Sequence, residues 1–379
     1  MARRGANEGT IYQRKSDKRW VGVLHVGYAA GKRERKSYYA ATRQEVASKL
    51  AAAIRDRQLG KRPVPERETL ADFLNRWLED VARRTVRPST LRGYEVTLRL
   101  HIIPAIGHLK LARLSADDLD GLYSALLAKG LSPKYVRLVH AIVHRALAHA
   151  LKRGALAVNV ASTVSAPSAP RREFRTLSAE EAGRLLAEAR SDRFYGLYVL
   201  ALTCGLRQAE LLGLRWSDLD LDGAVLHVRQ QVYRLQGAWA FSEPKTAAGR
   251  RTISLSGRAV EALRERRLAQ NAERLRATTW ADLDLIFANR QGRPTERANL
   301  QRQSFWPLLE RAGLPRVRFH DLRHACASML LAQNVIPKIV QEMLGHSSIA
   351  VTMDTYSHIM PFLQADAAEK MDRLLAASS

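Results

Sequence analysis

Four segments in the C-terminal half of the sequence contain side chains of the types that bind and transfer phosphate. In chain order, these side chains are Arg207, Lys245, His320, Arg323, His346 and Tyr356. Guanidinium groups bind phosphate oxygens through paired donors, imidazoles exchange protons near neutral pH, and a phenol can act as a nucleophile. Each segment alone is a modest signal, but together they predict a phosphate-transfer site.

The first segment, LALTCGLRQAELLGLRW, places Arg207 at a predicted helix start. A cation there opposes the helix dipole, so it needs an anionic partner. Glu210 follows three residues later, where it can hold the guanidinium and leave other donors for a phosphate. An ordinary surface ion pair is the alternative interpretation of this pair.

The second segment, FSEPKTAAGRRTISL, predicts that Lys245 lies at the mouth of a β-hairpin, because Pro244 precedes it and an Ala-Ala-Gly turn follows. A lysine at such a tip is usually solvated. In the third segment, RFHDLRHACASMLL, His320 and Arg323 share one face of a helix that starts near His320. A cation and an imidazole on one face suit an anion better than a metal.

The fourth segment, LGHSSIAVTMDTYSHI, places His346 directly after Gly345, at a predicted helix C-terminus. Tyr356 follows ten residues later on a short amphipathic helix. A core or surface aromatic is the alternative there.

These segments belong to a region that begins after a linker at 162–176, which is rich in Ser, Pro and Arg. A capping box at Ser178 and Glu181 starts its first helix. Helices are then expected to alternate with short strands, and to continue alone from about Phe319. The predicted strands lie near Ala224–Val228, Val232–Arg234, Arg251–Ser254 and Leu285–Ala288.

The N-terminal region predicts a β-β-β-α module. Residues 9–39 contain three β-prone runs, and Thr42 and Glu45 cap an Ala-rich helix that runs to about Gln58. Residues 1–62 carry 16 Lys and Arg against 5 Asp and Glu, a net charge of +11. Cations interleaved with aromatics favour nucleic-acid contact over a merely solvated surface. The candidate contacts are Arg14, Lys15, Arg19, Lys32, Arg33, Arg35 and Lys36.

Between these regions, Thr69 to Val158 show the periodicity of four or five helices. The pairs Thr69/Asp72 and Ser115/Asp118 have capping-box spacing, and Pro133 follows Ser132 at another predicted helix start. Several cations are candidates for a DNA groove, although they could equally be ordinary helix-face charges. They include Arg87, Arg92, Lys134, Arg137, Arg145 and Lys152.

Composition agrees with a polyanionic partner. The 379 residues include 61 Lys and Arg against 37 Asp and Glu, a net charge of +24. The two cysteines, Cys204 and Cys326, are far apart in sequence, which excludes a disulfide framework or a zinc cluster and fits a reducing cytoplasm. No signal peptide or membrane-spanning run is visible, so we expect neither a secreted nor a membrane protein.

The residues of the four segments resemble, in order and spacing, the active-site set of the tyrosine recombinases, in particular the phage-type integrases. GHSSIAVTMDTYSH is the most specific string, and the resemblance covers nearly the whole chain. It implies a small β-β-β-α arm-binding domain at 1–62, an all-α core-binding domain at 67–160, and a mainly α, α+β catalytic domain at 174–379. The last of these would end in a tail helix that packs on a neighbouring protomer or on its own domain.

The resemblance also implies a mechanism without metal, cofactor or ATP. Tyr356 would be the nucleophile that forms a 3′-phosphotyrosyl intermediate, and Lys245 the general acid. Arg207 and Arg323 would clamp the phosphate. His320 and His346 would hydrogen-bond the phosphate and manage the proton of the tyrosine, while Glu210 would orient Arg207.

The expected partners are core and arm sites on double-stranded DNA, four protomers joined through a Holliday junction, and accessory DNA-bending or excision factors. The expected location is the bacterial cytoplasm, at the nucleoid. Two alternatives remain at this point. One is a type IB topoisomerase, which shares the chemistry, and the other is a catalytically silent DNA-binding regulator of the same fold.

Overall fold

The computed structural model describes residues 10–29, 32–58, 67–168, 175–235, 237–244 and 246–356, with 368, 371–373, 375 and 376. The chain divides into two compact units, Met1–Arg171 and Arg172–Ser379. The boundary between them falls within the predicted linker. The finer division into three domains stays a prediction.

The first unit begins with a three-stranded antiparallel sheet of β1 (Thr10–Gln13), β2 (Trp20–Ala29) and β3 (Lys32–Ala40) in that order. Helix α1 (Arg43–Gln58) follows, and the Thr42 hydroxyl accepts a hydrogen bond from the Glu45 backbone N–H, as the sequence predicted. Val46 and Leu50 of α1 are buried near Gly22 of β2. The β-β-β-α order is therefore confirmed.

Residues 67–168, the other described part of this unit, are mainly helical. Two π-helical turns, Leu78–Ala82 and Leu98–Ile102, join consecutive helices, so the region forms four continuous helices. Both predicted capping boxes are present, and Ser132 caps the helix that begins at Pro133. The helices are α2 (Leu70–Trp77), α3 (Arg83–Thr85), α4 (Pro88–Thr97), α5 (Ile103–Ile106), α6 (Ala116–Ala128) and α7 (Pro133–Lys152).

Helices α4 and α7 are linked side by side. The hydroxyls of Thr97 and Tyr135 are hydrogen bonded at 3.2 Å, and Arg145 donates to the hydroxyl of Tyr94 at 3.2 Å. These contacts fix the two helices that carry the predicted DNA-groove cations of this region.

The second unit is mainly helical with two small sheets, as predicted. One antiparallel sheet has the order β4-β5-β8, and the other pairs β6 with β7. The strands are β4 (Leu219–Asp220), β5 (Val225–Val228), β6 (Gln231–Leu235), β7 (Ala238–Ser242) and β8 (Arg251–Ser254). The helices are α8 (Ala179–Glu188), α9 (Tyr195–Thr203), α10 (Gln208–Leu211), α11 (Gly257–Arg276), α12 (Arg297–Leu300), α13 (Trp306–Arg311), α14 (Asp321–Ala332), α15 (Pro337–Leu344) and α16 (Ile349–Tyr356).

Helix α9 forms the centre of this unit. It is apolar on all sides, and its residues from Gly196 to Leu202 are buried, as expected of a helix surrounded by others. The hydroxyl of its Tyr198 is hydrogen bonded to Ser304 at 2.6 Å. The C-terminal end of α9 leads directly into the segment that carries Arg207.

One predicted strand is wrong. Leu285–Ala288 makes only single-residue bridges, from Leu285 to Arg215 and from Ala288 to Pro294. Ile286 and Phe287 are fully buried, so this run is apolar because it packs in the core and not because it forms a β-strand. Strand β7 was not predicted.

The described residues include no helix with the length and apolar character needed to cross a membrane. They also include no group of three or more His, Cys, Asp or Glu side chains placed to hold a metal ion.

Candidate active site

Arg207 lies immediately before α10 and is held at three points. Its backbone N–H donates to Glu210 Oε2 at 3.0 Å, and its Nη1 donates to Glu210 Oε1 at 2.7 Å. Its Nη2 donates to the carbonyl of Gly345 at 3.0 Å. The Arg207 side chain is 36% exposed, whereas that of Glu210 is 1% exposed. The predicted pair is thus present, with the arginine reaching the surface and the carboxylate beneath it.

Arg251 is a member of this cluster that sequence reasoning missed. Its side chain is 6% exposed, and its Nη2 donates to Glu210 Oε2 at 3.0 Å. Burial raises the pKa of Glu210, but the charges and hydrogen bonds of Arg251 and Arg207 more than offset this, so the pKa lies below its usual range. Glu210 is therefore an anion shared by two arginines. The signal for Arg251 in the sequence is weak, because the residue stands out only as the first residue of the predicted strand Arg251–Ser254.

Arg323 lies in the first turn of α14 and is 2% exposed. Its Nη1 donates to the carbonyl of Gly205 at 2.7 Å. Gly205 has a φ of +60°, and a Cβ there would lie 2.5 Å from Leu344 Cδ2. A glycine is thus required where the chain leaves α9 and presents its carbonyl to Arg323.

His320 lies at the N-cap position of α14, where its side chain makes no capping hydrogen bond. Its ring lies edge-on to that of His324, with 5.0 Å between centroids. Although His320 keeps solvent-exposed area, shielding by the surrounding protein lowers its pKa to about 4, with smaller contributions from His324 and Arg323. Burial also lowers the pKa of His324. His324 was not predicted as a site residue, although its spacing of four from His320 was visible.

His346 follows Gly345, which ends α15 in the left-handed conformation. Its Nδ1 is hydrogen bonded to the hydroxyl of Thr352 in α16, at 2.8 Å. Gln341 holds the backbone of His346 by accepting from its N–H and donating to its carbonyl, each at 3.1 Å. His346 is therefore held from both neighbouring helices, its ring by α16 and its backbone by α15.

The pKa of His346 is lowered to about 4. Burial is the largest cause, and the positive charges of Arg323 and Arg207 add to it. The same two arginines also act on His320. Arg207, Arg323, His320 and His346 therefore form one electrostatic cluster in which both imidazoles are neutral at physiological pH.

The structure describes Tyr356 only in part. It is the last residue of α16, the helix that holds Thr352 against His346, and its side chain lies outside the described residues. Of the predicted tail helix, only a few residues are described, among them the exposed Met371 and Leu375.

Lys245 lies outside the described residues. The hairpin predicted around it is wrong, because β7 pairs with β6 whereas β8 pairs with β5. A short 3₁₀ turn, Ala247–Gly249, leads into β8 instead. The segment therefore connects two sheets.

Both cysteines are buried and reduced. Burial raises the pKa of Cys326 to about 12, and it also raises the pKa of Cys204. Thiols in this state are poor nucleophiles, which agrees with the prediction that Cys326 is a small buried hydrophobe.

The predicted DNA-contact residues are at the surface wherever their side chains are described. Arg14 is half-buried, pairs with Asp17 and lies over the ring of Tyr39, 5.0 Å from its centroid. The side chains of Lys32, Arg33 and Lys36 lie outside the described residues. The exposed members are Lys15, Arg19, Arg35, Arg87, Arg92, Lys134, Arg137, Arg145 and Lys152.

Comparison with known proteins identifies the family. Residues 175–361 match the model of the phage integrase family, and residues 69–127 match the phage integrase N-terminal SAM-like domain. An integrase of Streptomyces ambofaciens is 30% identical over 376 residues, with 96% of each chain covered. A tyrosine recombinase XerC-like protein of Caldanaerobacter subterraneus subsp. tengcongensis is 28% identical over 91% of this chain and 93% of its own.

The fold also resembles that of the Tn1549 transposon integrase, solved in complex with a circular intermediate DNA. The two superpose with a TM-score of 0.69 at 23% identity, over 81% of this chain and 99% of the solved one. The chain therefore belongs to the phage integrase family of site-specific tyrosine recombinases, which are DNA strand-transferring enzymes.

Proposed function

We propose that this recombinase cuts and rejoins double-stranded DNA through a 3′-phosphotyrosyl intermediate, with Tyr356 as the nucleophile. Its phenolic oxygen attacks the scissile phosphorus as the bond to the 5′-oxygen breaks. Lys245 donates a proton to that leaving oxygen. A 5′-hydroxyl from the partner duplex then attacks the phosphotyrosine and releases the tyrosine, so the ester energy is retained and no ATP is needed.

The observation that carries this proposal is the electrostatic cluster of Arg207, Arg323 and His346, in which the Arg207 side chain is 36% exposed. Attack by the tyrosine adds negative charge to the non-bridging oxygens, and fixed guanidinium donors stabilise that charge. The Arg207 guanidinium donates one hydrogen bond from Nη1 to Glu210 and one from Nη2 to Gly345. A guanidinium has five N–H groups, so these two contacts do not use all of its donors. Its remaining donors and exposed surface suit a phosphate.

The neutral imidazoles suit hydrogen bonding and proton transfer rather than charge neutralisation. With pKa values of about 4, His320 and His346 carry no charge at neutral pH. A neutral imidazole donates a hydrogen bond from one ring nitrogen and accepts one at the other. The phenol of Tyr356 has to lose its proton during attack. We assign that proton, and hydrogen bonds to the phosphate, to these two histidines.

The remaining assignments follow the domain plan. The helices at 67–160 and the catalytic region at 174–379 contact the core site, where exposed cations on α4 and α7 bind phosphates, and the module at 1–62 binds arm sites. Four protomers exchange two duplexes through a Holliday junction, with accessory DNA-bending or excision factors. The reaction integrates or excises a phage or another mobile element in the bacterial cytoplasm, at the nucleoid.

The two alternatives, a type IB topoisomerase and a silent DNA-binding regulator, are not favoured. The relatives that match most of the chain are integrases and tyrosine recombinases. Arg207, Glu210, His320, Arg323, His346 and Tyr356 are all present, and this argues against a degenerate site.

The test uses a nicked duplex carrying the attachment site, read from the chromosomal junction of the element that encodes the chain. The nick lets the short 5′-hydroxyl fragment diffuse away, which traps the covalent adduct. Wild type, Tyr356→Phe and Arg207→Ala are incubated with EDTA and without ATP. We expect an adduct with wild type and none with Tyr356→Phe. An adduct that persists in Tyr356→Phe would refute the assignment, and relaxation of plasmid without strand exchange would favour the topoisomerase.

A further inference from the structure

Arg251 contacts three separate segments of the candidate site. Its Nη2 donates to Glu210, its Nη1 donates to the carbonyl of Gly249 at 3.0 Å, and its Nε donates to the carbonyl of Met343 at 2.6 Å. All three nitrogens of the guanidinium are therefore engaged within the protein. Because the side chain is almost fully buried, it is not placed to bind DNA itself.

Each of these three partners leads to a proposed catalytic residue. Glu210 holds the guanidinium of Arg207. Gly249 ends the turn that follows Lys245 in the sequence. Met343 lies three residues before His346, in the last turn of α15. One buried side chain thus connects Glu210, which holds Arg207, with the turn that follows Lys245 and with the end of α15, just before His346.

The packing around Gly345 shows how closely these segments meet. A Cβ on Gly345 would lie 2.7 Å from the carbonyl oxygen of Ala248 and 3.0 Å from Arg251 Nη1. The turn before β8 and the loop after α15 are therefore in direct contact, with Arg251 beside them. Arg251 donates a hydrogen bond to a backbone carbonyl at each of these two places, Gly249 and Met343.

Arg251 also controls the charge of Glu210. The carboxylate is buried, and burial alone favours its protonated form. Arg251 is the strongest influence that keeps it ionised, ahead of Arg207. Protonation of Glu210 would weaken the three hydrogen bonds that its carboxylate accepts from the two arginines.

We infer that Arg251 is a positioning residue for strand cleavage: it orients Arg207 through Glu210 and fixes the turn before β8 against the His346 loop. This inference rests on the proposed function. It assigns Arg251 no contact with the reacting atoms. Its action is exerted through groups that do make such contact.

A double-mutant cycle tests the inference on the nicked duplex. We expect Arg251→Gln to slow adduct formation about 10- to 100-fold, the range typical of residues that orient catalytic groups. In a Glu210→Gln background the same change should cost clearly less, because only the contacts of Arg251 with Gly249 and Met343 then remain to be lost. Arg311→Gln, which removes an exposed ion pair with Glu188, is the matched control and should keep the wild-type rate.

A pH profile separates positioning from general destabilisation. Without Arg251 the pKa of the buried Glu210 rises. As the pH is lowered, cleavage by Arg251→Gln should therefore decline at a higher pH than cleavage by the wild type. Arg251→Lys keeps a positive charge but loses the fixed three-way geometry. It should show a reduced rate with the wild-type pH profile. Circular dichroism and a gel shift establish that each variant is folded and binds the duplex.

Two results would overturn the inference. One is an equal loss from Arg251→Gln in the wild-type and Glu210→Gln backgrounds, and the other is a wild-type rate in Arg251→Gln. Failure of the wild type itself to form an adduct would instead refute the proposed function.

Discussion

Arg323 and Gly205 are 118 positions apart, and they are joined by a 2.7 Å hydrogen bond from the arginine Nη1 to the glycine carbonyl. The bond ties the start of α14 to the end of α9, the central helix of this unit. It places a buried guanidinium beside the segment that carries Arg207. The position of Arg323 therefore depends on an unusual backbone conformation at Gly205.

Gly205→Ala should destabilise the protein by about 2–4 kcal/mol, since it combines an unfavourable positive φ with a contact of 2.5 Å to Leu344 Cδ2. Urea denaturation measures the free energy of unfolding. Gly183→Ala is the control, because that glycine lies in α8 with open space around it. It should gain about 0.5–1 kcal/mol. Equal stabilities for the two variants would contradict the account.

Thr352→Val should slow adduct formation about 10-fold while DNA binding is kept. The hydroxyl of Thr352 is fully buried and holds His346 Nδ1, so its loss leaves the imidazole without that partner. Thr352→Ser retains the hydroxyl and should cleave at nearly the wild-type rate despite a lost methyl group. If the serine variant were as slow as the valine variant, packing rather than the hydrogen bond would be responsible.

The stability of the protein should fall as the pH is lowered through the titration of the half-buried His346. The folded-state pKa of His346 is about 4, below the ordinary value of 6.5, so the unfolded chain takes up a proton first as the pH falls. The stabilisation is complete above about pH 6.5 and is lost progressively toward pH 4. His346→Gln should therefore lose less stability than wild type between about pH 7 and 5, as followed by urea midpoints. An identical loss in both proteins would argue against the lowered pKa.

The cations of α4 and α7 should contribute to DNA binding through phosphates. Arg92→Gln combined with Arg137→Gln should weaken binding at all sequences and reduce the slope of log K against log salt by about 0.9 per lost contact. Fluorescence anisotropy over a salt series measures both. Arg83→Gln is the control, because Arg83 already pairs with Glu79 at 2.8 Å. An unchanged slope in the double variant would show that Arg92 and Arg137 are ordinary helix-face charges.

The local features of the fold could be predicted because they depend on neighbours in sequence. The capping boxes at Thr69, Ser115 and Ser178 are all present, since three-residue spacing is enough to define them. The Arg207–Glu210 pair and the left-handed Gly345 before His346 follow the same logic. In each case the partner lies within one helical turn.

Long-range features could not be read from the sequence in this way. Arg251 reaches Glu210 and Met343, 41 and 92 positions away, and nothing in a local pattern indicates such contacts. The hairpin predicted at Lys245 was wrong for a related reason. Strand β8 pairs with β5, which lies earlier in the chain, and not with β7, which precedes it directly. An apolar run such as Leu285–Ala288 has the same sequence pattern in a buried β-strand as in a buried segment that pairs with no strand.

In the proposed function the scissile phosphate binds beside Arg207 and Arg323, and the neutral histidines there would then make protons and DNA mutual effectors. A phosphate bound among these groups favours imidazolium, so its arrival raises the histidine pKa values that burial and the arginines hold near 4. Thermodynamic reciprocity then requires that protonation tighten the hold on the phosphate by the same factor. The heat of DNA binding should accordingly depend on the ionisation enthalpy of the buffer, in proportion to the protons absorbed.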